Sequence, residues 1–158
     1  MTITDYQLLD AVLRELQDAS EIAVLHREDY IAAHMVDSDA DLCVSYHPLE
    51  IMSVIAPRLA GSGIFLIQVW NYYRCSYTFF FSDSGGQFGA QIDVLHDPKG
   101  IGRYGVRTNV LLAKRSTGVR WPRIDELDEA LYVLRKRQVK RDVQRVLEVS
   151  SSLQGLGT

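Results

Sequence analysis

The sequence predicts an α+β fold in which helices pack on one face of a mixed, mainly antiparallel sheet, with further helices at the C-terminus. Three observations support this class. Residues 5–18 have helical periodicity, β-prone segments predominate from there to residue 96, and helical periodicity returns after Pro122. At 158 residues the chain can bury a substantial core as one domain. We therefore expect a single domain over residues 1–149 and a flexible tail of small, polar residues over 150–158.

The first part of the chain carries helix-start signals. Thr4 and Gln7 fit the two ends of a capping box, and Pro48 suits the first position of a helix. Pro57 should kink or shorten this second helix. The elements predicted here are a helix over residues 5–18, strands over 22–25 and 40–46, a helical turn over 29–35, and a helix from 48 to about 61 whose buried face comprises Leu49, Met52, Ile55 or Ala56, and Leu59.

The second part contains predicted strands followed by helices. The run Asp83-Ser84-Gly85-Gly86 is typical of a hairpin turn between two strands. The predicted elements are strands over 64–70, 73–81 and 87–96, short strands around 109–112 within an ambiguous segment, and helices over about 124–137 and 138–149, the first with an apolar stripe of Ile124, Leu127, Leu131 and Leu134.

Composition indicates an ordinary globular protein, since 47% of the residues are hydrophobic and 23% are charged. Cys43 and Cys75 fall in predicted strands and lack metal-type spacing, so we interpret them as buried thiols in a reducing compartment. The sequence shows neither a signal-peptide pattern nor an apolar run long enough to span a membrane. We therefore expect a cytoplasmic protein without membrane partners.

Charge is distributed unevenly along the chain. Residues 1–98 hold 4 Lys/Arg and 14 Asp/Glu, a balance of −10, whereas residues 99–158 hold 13 Lys/Arg and 6 Asp/Glu, a balance of +7. Solvated helix faces account for most individual charges. An acidic edge opposed by a basic half is also what a cleft for a triphosphate would need.

The acidic residues follow a pattern that suits a metal ion. If residues 40–45 form a strand, two-residue alternation places Asp39 and Asp41 on the same face. Asp93 interrupts an otherwise apolar strand, where a lone charge is costly unless it is paired or ligated. Carboxylate oxygens favour a hard cation such as Mg²⁺. The alternatives are a solvated turn for Asp39 and Asp41, and an exposed edge-strand position for Asp93.

The order of elements, with D-S-D-A-D-L at residues 37–42 and Q-I-D-V-L at residues 91–95, resembles the nucleotidyltransferase superfamily, the fold of polymerase beta. The pattern is most similar to minimal bacterial members, namely lincosamide nucleotidyltransferases and the nucleotidyltransferase-like domains found with polysaccharide-biosynthesis genes. The resemblance covers roughly residues 5–137. It departs at Asp37, which stands directly before Ser38 where the superfamily places a glycine before the serine. It also departs in length, which leaves little room for a second helical domain.

The resemblance implies a metal-dependent transfer of a nucleoside monophosphate from a nucleoside triphosphate to a hydroxyl of a small molecule or sugar. Asp39, Asp41 and Asp93 would hold two Mg²⁺ ions, with Mn²⁺ as the alternative, and Asp93 would also take the proton from the acceptor hydroxyl. Candidate contacts to substrate or phosphate are Ser38, Arg74, Lys99 and Arg103.

Two other hypotheses remain open at this stage. The chain could be a non-catalytic nucleotidyltransferase-like module for binding or regulation, which the residue at position 37 and the short chain favour. It could instead bind nucleic acid through the basic run Arg135-Lys136-Arg137 with Lys140, Arg141 and Arg145, although the sequence pI of about 5.8 argues against this. For the catalytic case we expect a homo-oligomer in which a second subunit completes the cleft.

Overall fold

The structure, a computed structural model, describes residues 5–25, 40–116, 121–141 and 150–151. The helical turn predicted over 29–35 and most of the helix predicted over 138–149 lie outside these ranges. The described elements are, in order, α1 (Asp5–Ala19), β1 (Ile22–Val24), β2 (Ala40–Val44), α2 (Pro48–Gly61), β3 (Ile64–Tyr73), β4 (Ser76–Asp83), β5 (Gly89–Leu95), α3 (Thr108–Ala113) and α4 (Glu126–Val139).

The five strands form one mixed sheet in the order β1-β2-β5-β4-β3. Only β2 and β5 run parallel to each other, and the other three pairings are antiparallel. The predicted α+β class with a mainly antiparallel sheet is therefore confirmed. In sequence, α2 and the β3–β4 hairpin lie between β2 and β5. Residues far apart in sequence are therefore neighbours at the centre of the sheet.

The two faces of the sheet belong to different hydrophobic clusters. On one face, α1 and α2 cover Leu42 and Val94 in the larger cluster. On the other face, α3 and α4 cover Cys43 and Leu95, their immediate neighbours in sequence. This alternation is the two-residue period of a strand. Helices thus pack on both faces of the sheet, which corrects the prediction that they pack on one face. The second pair covers only the part of its face nearest β1 and β2.

Helix α2 corrects part of its predicted buried face. Leu49 is 46% exposed and Ile51 is buried in its place, whereas Met52, Ile55 and Leu59 are buried as predicted. The His47 side chain caps the helix by accepting a hydrogen bond from the Leu49 N–H. The helix continues through Pro57 to Gly61, and Pro57 therefore does not end it.

Two predictions for the C-terminal half need correction. Residues 108–113 form helix α3, whereas the sequence left this segment ambiguous with short strands around 109–112 as one possibility. Ile124 and Leu134 of the predicted apolar stripe pack in the smaller cluster as expected, but Leu127 and Leu131 are exposed. The buried side chains of α4 are Tyr132, Val133 and Lys136. The helix begins where Asp125 accepts a hydrogen bond from the Asp128 N–H at 2.8 Å. Because Lys136 is buried, α4 places a charged side chain in the interior of the protein.

The remaining boundaries differ by a few residues from those predicted. Strand β3 extends to Tyr73, because residues 71–73 pair with β4 across a local irregularity in register. Cys75 therefore lies in the turn between β3 and β4, while Cys43 is buried in β2. Among the described residues, none of the helices has the length and apolar character needed to cross a membrane.

Candidate functional site

Asp41 and Asp93 occupy directly paired positions on the parallel strands β2 and β5. Their sequence neighbours Leu42 and Val94 point into the core on the opposite face, so both carboxylates lie on the face that α4 partly covers. Neighbouring strands are about 4.8 Å apart. The sheet thus brings together two acidic side chains that are separated by 52 positions in sequence.

These carboxylates line a cavity of about 200 Å³ between the sheet and α4. Its described lining includes five charged side chains, which are Asp41, Asp93, Arg103, Lys136 and Lys140. The three cations outnumber the two carboxylates, which favours an anionic ligand. The volume suits a group of phosphate size, because pockets that enclose a whole drug-sized ligand occupy about 300–1,000 Å³.

Lys136 forms a buried ion pair with Asp41. Its Nζ lies 2.7 Å from Oδ1 and 2.5 Å from Oδ2 of the carboxylate. Only 8% of Lys136 and 4% of Asp41 is exposed to solvent. The Lys136 ammonium also lies 5.8 Å from the centroid of the Tyr132 ring, within the range of a cation–π contact. Helix α4 therefore places a positive charge directly on one of the two carboxylates.

Asp93 is held by a hydrogen bond from strand β4. The Thr78 hydroxyl donates to Asp93 Oδ1, and Thr78 is the residue paired with Asp93 across the β4–β5 ladder. Thr78 is buried. The bond fixes the orientation of the Asp93 carboxylate within the row formed by Asp41, Asp93 and Thr78 across three strands.

The loop after β5 is built around Asp97. Its buried carboxylate accepts hydrogen bonds from the N–H groups of Ile101 at 3.0 Å and Gly102 at 2.7 Å. This closed loop presents the next two residues, Arg103 and Tyr104, to the cavity. Asp97 therefore has a structural role in the loop, whereas Asp41 and Asp93 line the cavity.

Two tyrosine hydroxyls remain protonated at neutral pH. Burial raises the pKa of Tyr104 above its ordinary value. The positive charges of Lys136 and Arg103 offset part of that rise. Burial also raises the pKa of Tyr132 well above its ordinary value, and the negative charge of Asp41 adds to that rise. The two rings meet edge to face with centroids 5.7 Å apart. Both phenols therefore keep their protons and remain hydrogen-bond donors.

Three of the predicted site residues, Asp41, Asp93 and Arg103, meet at this cavity. Arg74 and Lys99 are not among the residues that line it, and their assignment as phosphate contacts stays a prediction. Arg74 is exposed in the turn between β3 and β4, and Lys99 is exposed in the turn that follows Asp97. Ser38 and Asp39 lie outside the described residues.

The sequence interpretation missed the roles of Thr78, Tyr104 and Lys136 at this site. Lys136 was grouped with the basic run of the C-terminal helices, although it stands three and four residues after Val133 and Tyr132. That spacing places all three on one helix face. Thr78 gave a weaker signal, since a threonine in a β-prone run is expected for any strand.

The donor set fits a divalent cation in kind. Asp41 and Asp93 supply hard carboxylate oxygens from neighbouring strands, the ligands that Mg²⁺ prefers together with water and phosphate oxygens. Among the described residues, no three Asp, Glu, His or Cys side chains come together as a complete protein cage. A cation here would therefore take further ligands from water, from substrate or from Asp39.

Comparison of this chain with protein-family models, with curated proteins and with solved structures gave no match. The assignment of function consequently depends on the geometry of this cavity and on the sequence resemblance.

Proposed function

We propose that this chain is a metal-dependent nucleotidyltransferase domain that moves a nucleoside monophosphate from a nucleoside triphosphate to a hydroxyl of a small molecule or sugar. The observation that carries the proposal is the direct pairing of Asp41 with Asp93 at a cavity otherwise rich in cations. The resemblance carried by the motifs at residues 37–42 and 91–95 implies that these carboxylates come together from neighbouring strands.

The cations around the cavity support a phosphorylated substrate. Arg103 comes from the loop after β5, and Lys140 comes from the turn directly after α4. They approach from different elements, as is needed to contact a chain of phosphates. A guanidinium can bind phosphate oxygens in a bidentate manner, while an ammonium acts as a point charge.

Asp93 is assigned the role of general base for the acceptor hydroxyl. Its carboxylate is oriented by the Thr78 hydroxyl and faces the cavity. Asp41, with Asp93 and Asp39, would hold the divalent ions, for which Mg²⁺ is the expected metal and Mn²⁺ the alternative. When bound, these ions would supply positive charge at the transferred phosphoryl group. The phenol of Tyr104 and the cations Arg103 and Lys140 bind the phosphates.

One observation favours a second candidate, a non-catalytic module that binds a phosphorylated ligand. Asp41 already has a close partner in Lys136, so its charge is neutralised within the protein. The basic run gives less support to nucleic-acid binding. Lys136 is buried, and Arg135 donates to the Gly105 carbonyl at 2.5 Å. Two of its central charges are thus used within the fold.

The sequence also predicts a cytoplasmic homo-oligomer, and these expectations stay predictions. Light scattering of the purified protein measures its mass directly. A mass above that of one 17.9-kDa chain is expected if a second subunit completes the cleft.

The proposed function is tested by calorimetry with each nucleoside triphosphate in the presence and absence of Mg²⁺. Binding should require the metal and should be lost in Asp93→Asn. Glu50→Gln removes an exposed carboxylate from the first turn of α2 and serves as the matched control. Far-ultraviolet circular dichroism confirms that each variant is folded.

Two outcomes separate the candidates. Metal-dependent binding with pyrophosphate release in the presence of hydroxyl acceptors supports the transferase. Binding without pyrophosphate release across an acceptor panel supports the non-catalytic module. If no nucleoside triphosphate binds with or without metal, the proposed function is overturned.

A further inference from the structure

The ion pair between Lys136 and Asp41 joins two elements at the wall of the cavity. Both carboxylate oxygens of Asp41 lie within 2.7 Å of the Lys136 ammonium, and the residues are 95 positions apart in sequence. Both groups are buried. The last turn of α4 is thus joined to the central strand β2 by a buried ion pair.

A buried ion pair needs an explanation, because apolar side chains of similar size often stabilise a protein at least as well. Their immediate neighbours on the same helix and sheet face include the apolar side chains of Val133 and Leu95, while the other side of the pair faces the cavity. The position of Lys136 suggests an explanation for the buried pair. Lys136 directs its positive charge at the carboxylate that the proposed function assigns to a divalent cation.

An ammonium and a divalent cation compete for the same two oxygens. The two cations also repel each other at short range in a buried site. A metal ion that binds Asp41 therefore requires the Lys136 ammonium to move. The lysine side chain can do so, because its four-carbon stem is flexible and its head group has three rotatable donors.

A displaced ammonium would remain at the wall of the cavity, among groups that could accept it. Lys136 lines the same cavity as Arg103 and Lys140, the cations assigned above to the phosphates. A phosphate chain bound there would place negative oxygens next to the displaced ammonium. The Tyr132 ring, 5.8 Å from Nζ, provides a cation–π surface close to the ammonium.

We propose that Lys136 is a displaceable internal counter-ion, which holds Asp41 in place of a divalent cation in the nucleotide-free protein and transfers its charge to the triphosphate when metal and nucleotide bind together. This inference rests on the proposed function. Under this proposal the binding of metal and the binding of nucleotide depend on each other. The metal displaces the Lys136 ammonium from Asp41, and the phosphates stabilise the displaced ammonium. Metal alone then binds weakly, and the protein does not hold its metal without substrate.

The test is calorimetry with Mn²⁺ alone and with Mn²⁺ plus ATP, on the wild-type protein and on Lys136→Gln. The glutamine amide still donates a hydrogen bond to Asp41 but carries no charge. We expect Lys136→Gln to bind Mn²⁺ alone about tenfold more tightly than the wild type, and the coupling between Mn²⁺ and ATP to fall by a similar factor. Lys114→Gln, at a lysine that pairs with Asp128 away from the cavity, should change neither quantity.

A second measurement guards against misfolding of the variant. In Lys136→Met the Asp41 carboxylate is left buried without its ammonium, so Mn²⁺ should raise the melting temperature of this variant more than that of the wild type. Adding Asp41→Asn removes the buried charge, and the double variant should melt at the same temperature with and without Mn²⁺.

The results distinguish this inference from the proposed function. Wild-type protein that binds Mn²⁺ with ATP, together with Lys136 variants whose affinity for Mn²⁺ alone is unchanged, overturns the role of Lys136 and leaves the proposed function standing. If neither wild type nor variants bind Mn²⁺ with or without ATP, both are overturned. Tighter binding of Mn²⁺ to Lys136→Gln with reduced coupling supports both.

Discussion

Asp41 and Asp93 are direct cross-strand partners on the two parallel strands at the centre of the sheet. Parallel pairing occurs only here among the described strands, and it exists because β2 is joined to β5 through the α2 helix and the β3–β4 hairpin. The two carboxylates share one face because each follows the alternation of its own strand. Their proximity is thus a property of the topology.

The first prediction concerns the stability of the Lys136–Asp41 pair. Asp41→Asn should lower the free energy of unfolding by about 3–5 kcal/mol, because Lys136 is left buried without its carboxylate. Urea denaturation measures the change. Glu21→Gln is the control, since Glu21 is the exposed partner of Arg115 and surface pairs contribute about 0–1 kcal/mol. Equal effects of the two substitutions would contradict the buried pair.

A second prediction addresses the orientation of Asp93. Thr78→Val keeps the shape of the side chain but removes the hydroxyl that donates to Asp93 Oδ1. We expect a loss of about 1 kcal/mol in stability and weaker binding of metal with ATP, because the partly buried Asp93 carboxylate loses a hydrogen-bond partner. Thr78→Ser retains the hydroxyl and should preserve binding. Calorimetry on both variants separates the hydroxyl from the methyl group, and equal affinities would rule out the orienting role of Thr78.

Steric packing in the Asp97 loop gives a third prediction. A Cβ atom on Gly102 would lie 2.8 Å from Asp97 Oδ2 and 3.0 Å from Cys75 Cβ. Gly102→Ala should therefore shift the loop, move Arg103 away from the cavity, and weaken nucleotide binding.

Gly61→Ala is the matched control for this substitution. A Cβ atom on Gly61, the last residue of α2, meets no atom within 4 Å, so the substitution should be neutral or stabilise the helix by up to about 1 kcal/mol. Thermal denaturation and calorimetry compare the two variants. Unchanged nucleotide affinity in Gly102→Ala would show that the loop does not position Arg103.

The buried thiol of Cys43 leads to a fourth prediction, on alkaline stability. Burial raises the pKa of Cys43 from 9.0 to about 12. As the pH rises above about 9, the thiol ionises in the unfolded chain but stays protonated in the folded protein, so the free energy of unfolding falls. The limiting slope from one group is about 1.4 kcal/mol per pH unit, and it ends near the folded-state pKa.

Urea denaturation between about pH 8 and about pH 10.5 measures this slope. Cys43→Ala should reduce it, whereas Cys75→Ala should reduce it less because Cys75 is only partly buried. Identical slopes in the wild type and Cys43→Ala would contradict the raised pKa.

Periodicity and the sequence resemblance together predicted that Asp41 and Asp93 lie close together. An aspartate inside the apolar run of β5 is costly unless it is paired or ligated. The acidic residues at the start of β2 indicated a second apolar strand with carboxylates that could share a ligand with it. Local sequence could not specify which strands become neighbours, because β2 and β5 pair across about 50 residues. The order of elements in the resembling superfamily provided that information.

The cationic part of the site was harder to predict. In α4, Leu127 and Leu131 indicate one helix face, but the protein buries the face that carries Tyr132 and Lys136. Helical spacing identifies residues that share a face and not the face that meets the sheet. A lysine contributes to burial only when its charge has a partner, and that partner, Asp41, lies 95 residues earlier.

The most direct measurement of the central claim is a crystal structure of the protein with Mn²⁺ and a non-hydrolysable ATP analogue, using the anomalous signal of manganese. We predict an anomalous peak bound by the carboxylates of Asp41 and Asp93, with the phosphates of the analogue next to Arg103. A crystal that contains the bound analogue but shows no manganese at these two carboxylates would contradict the claim.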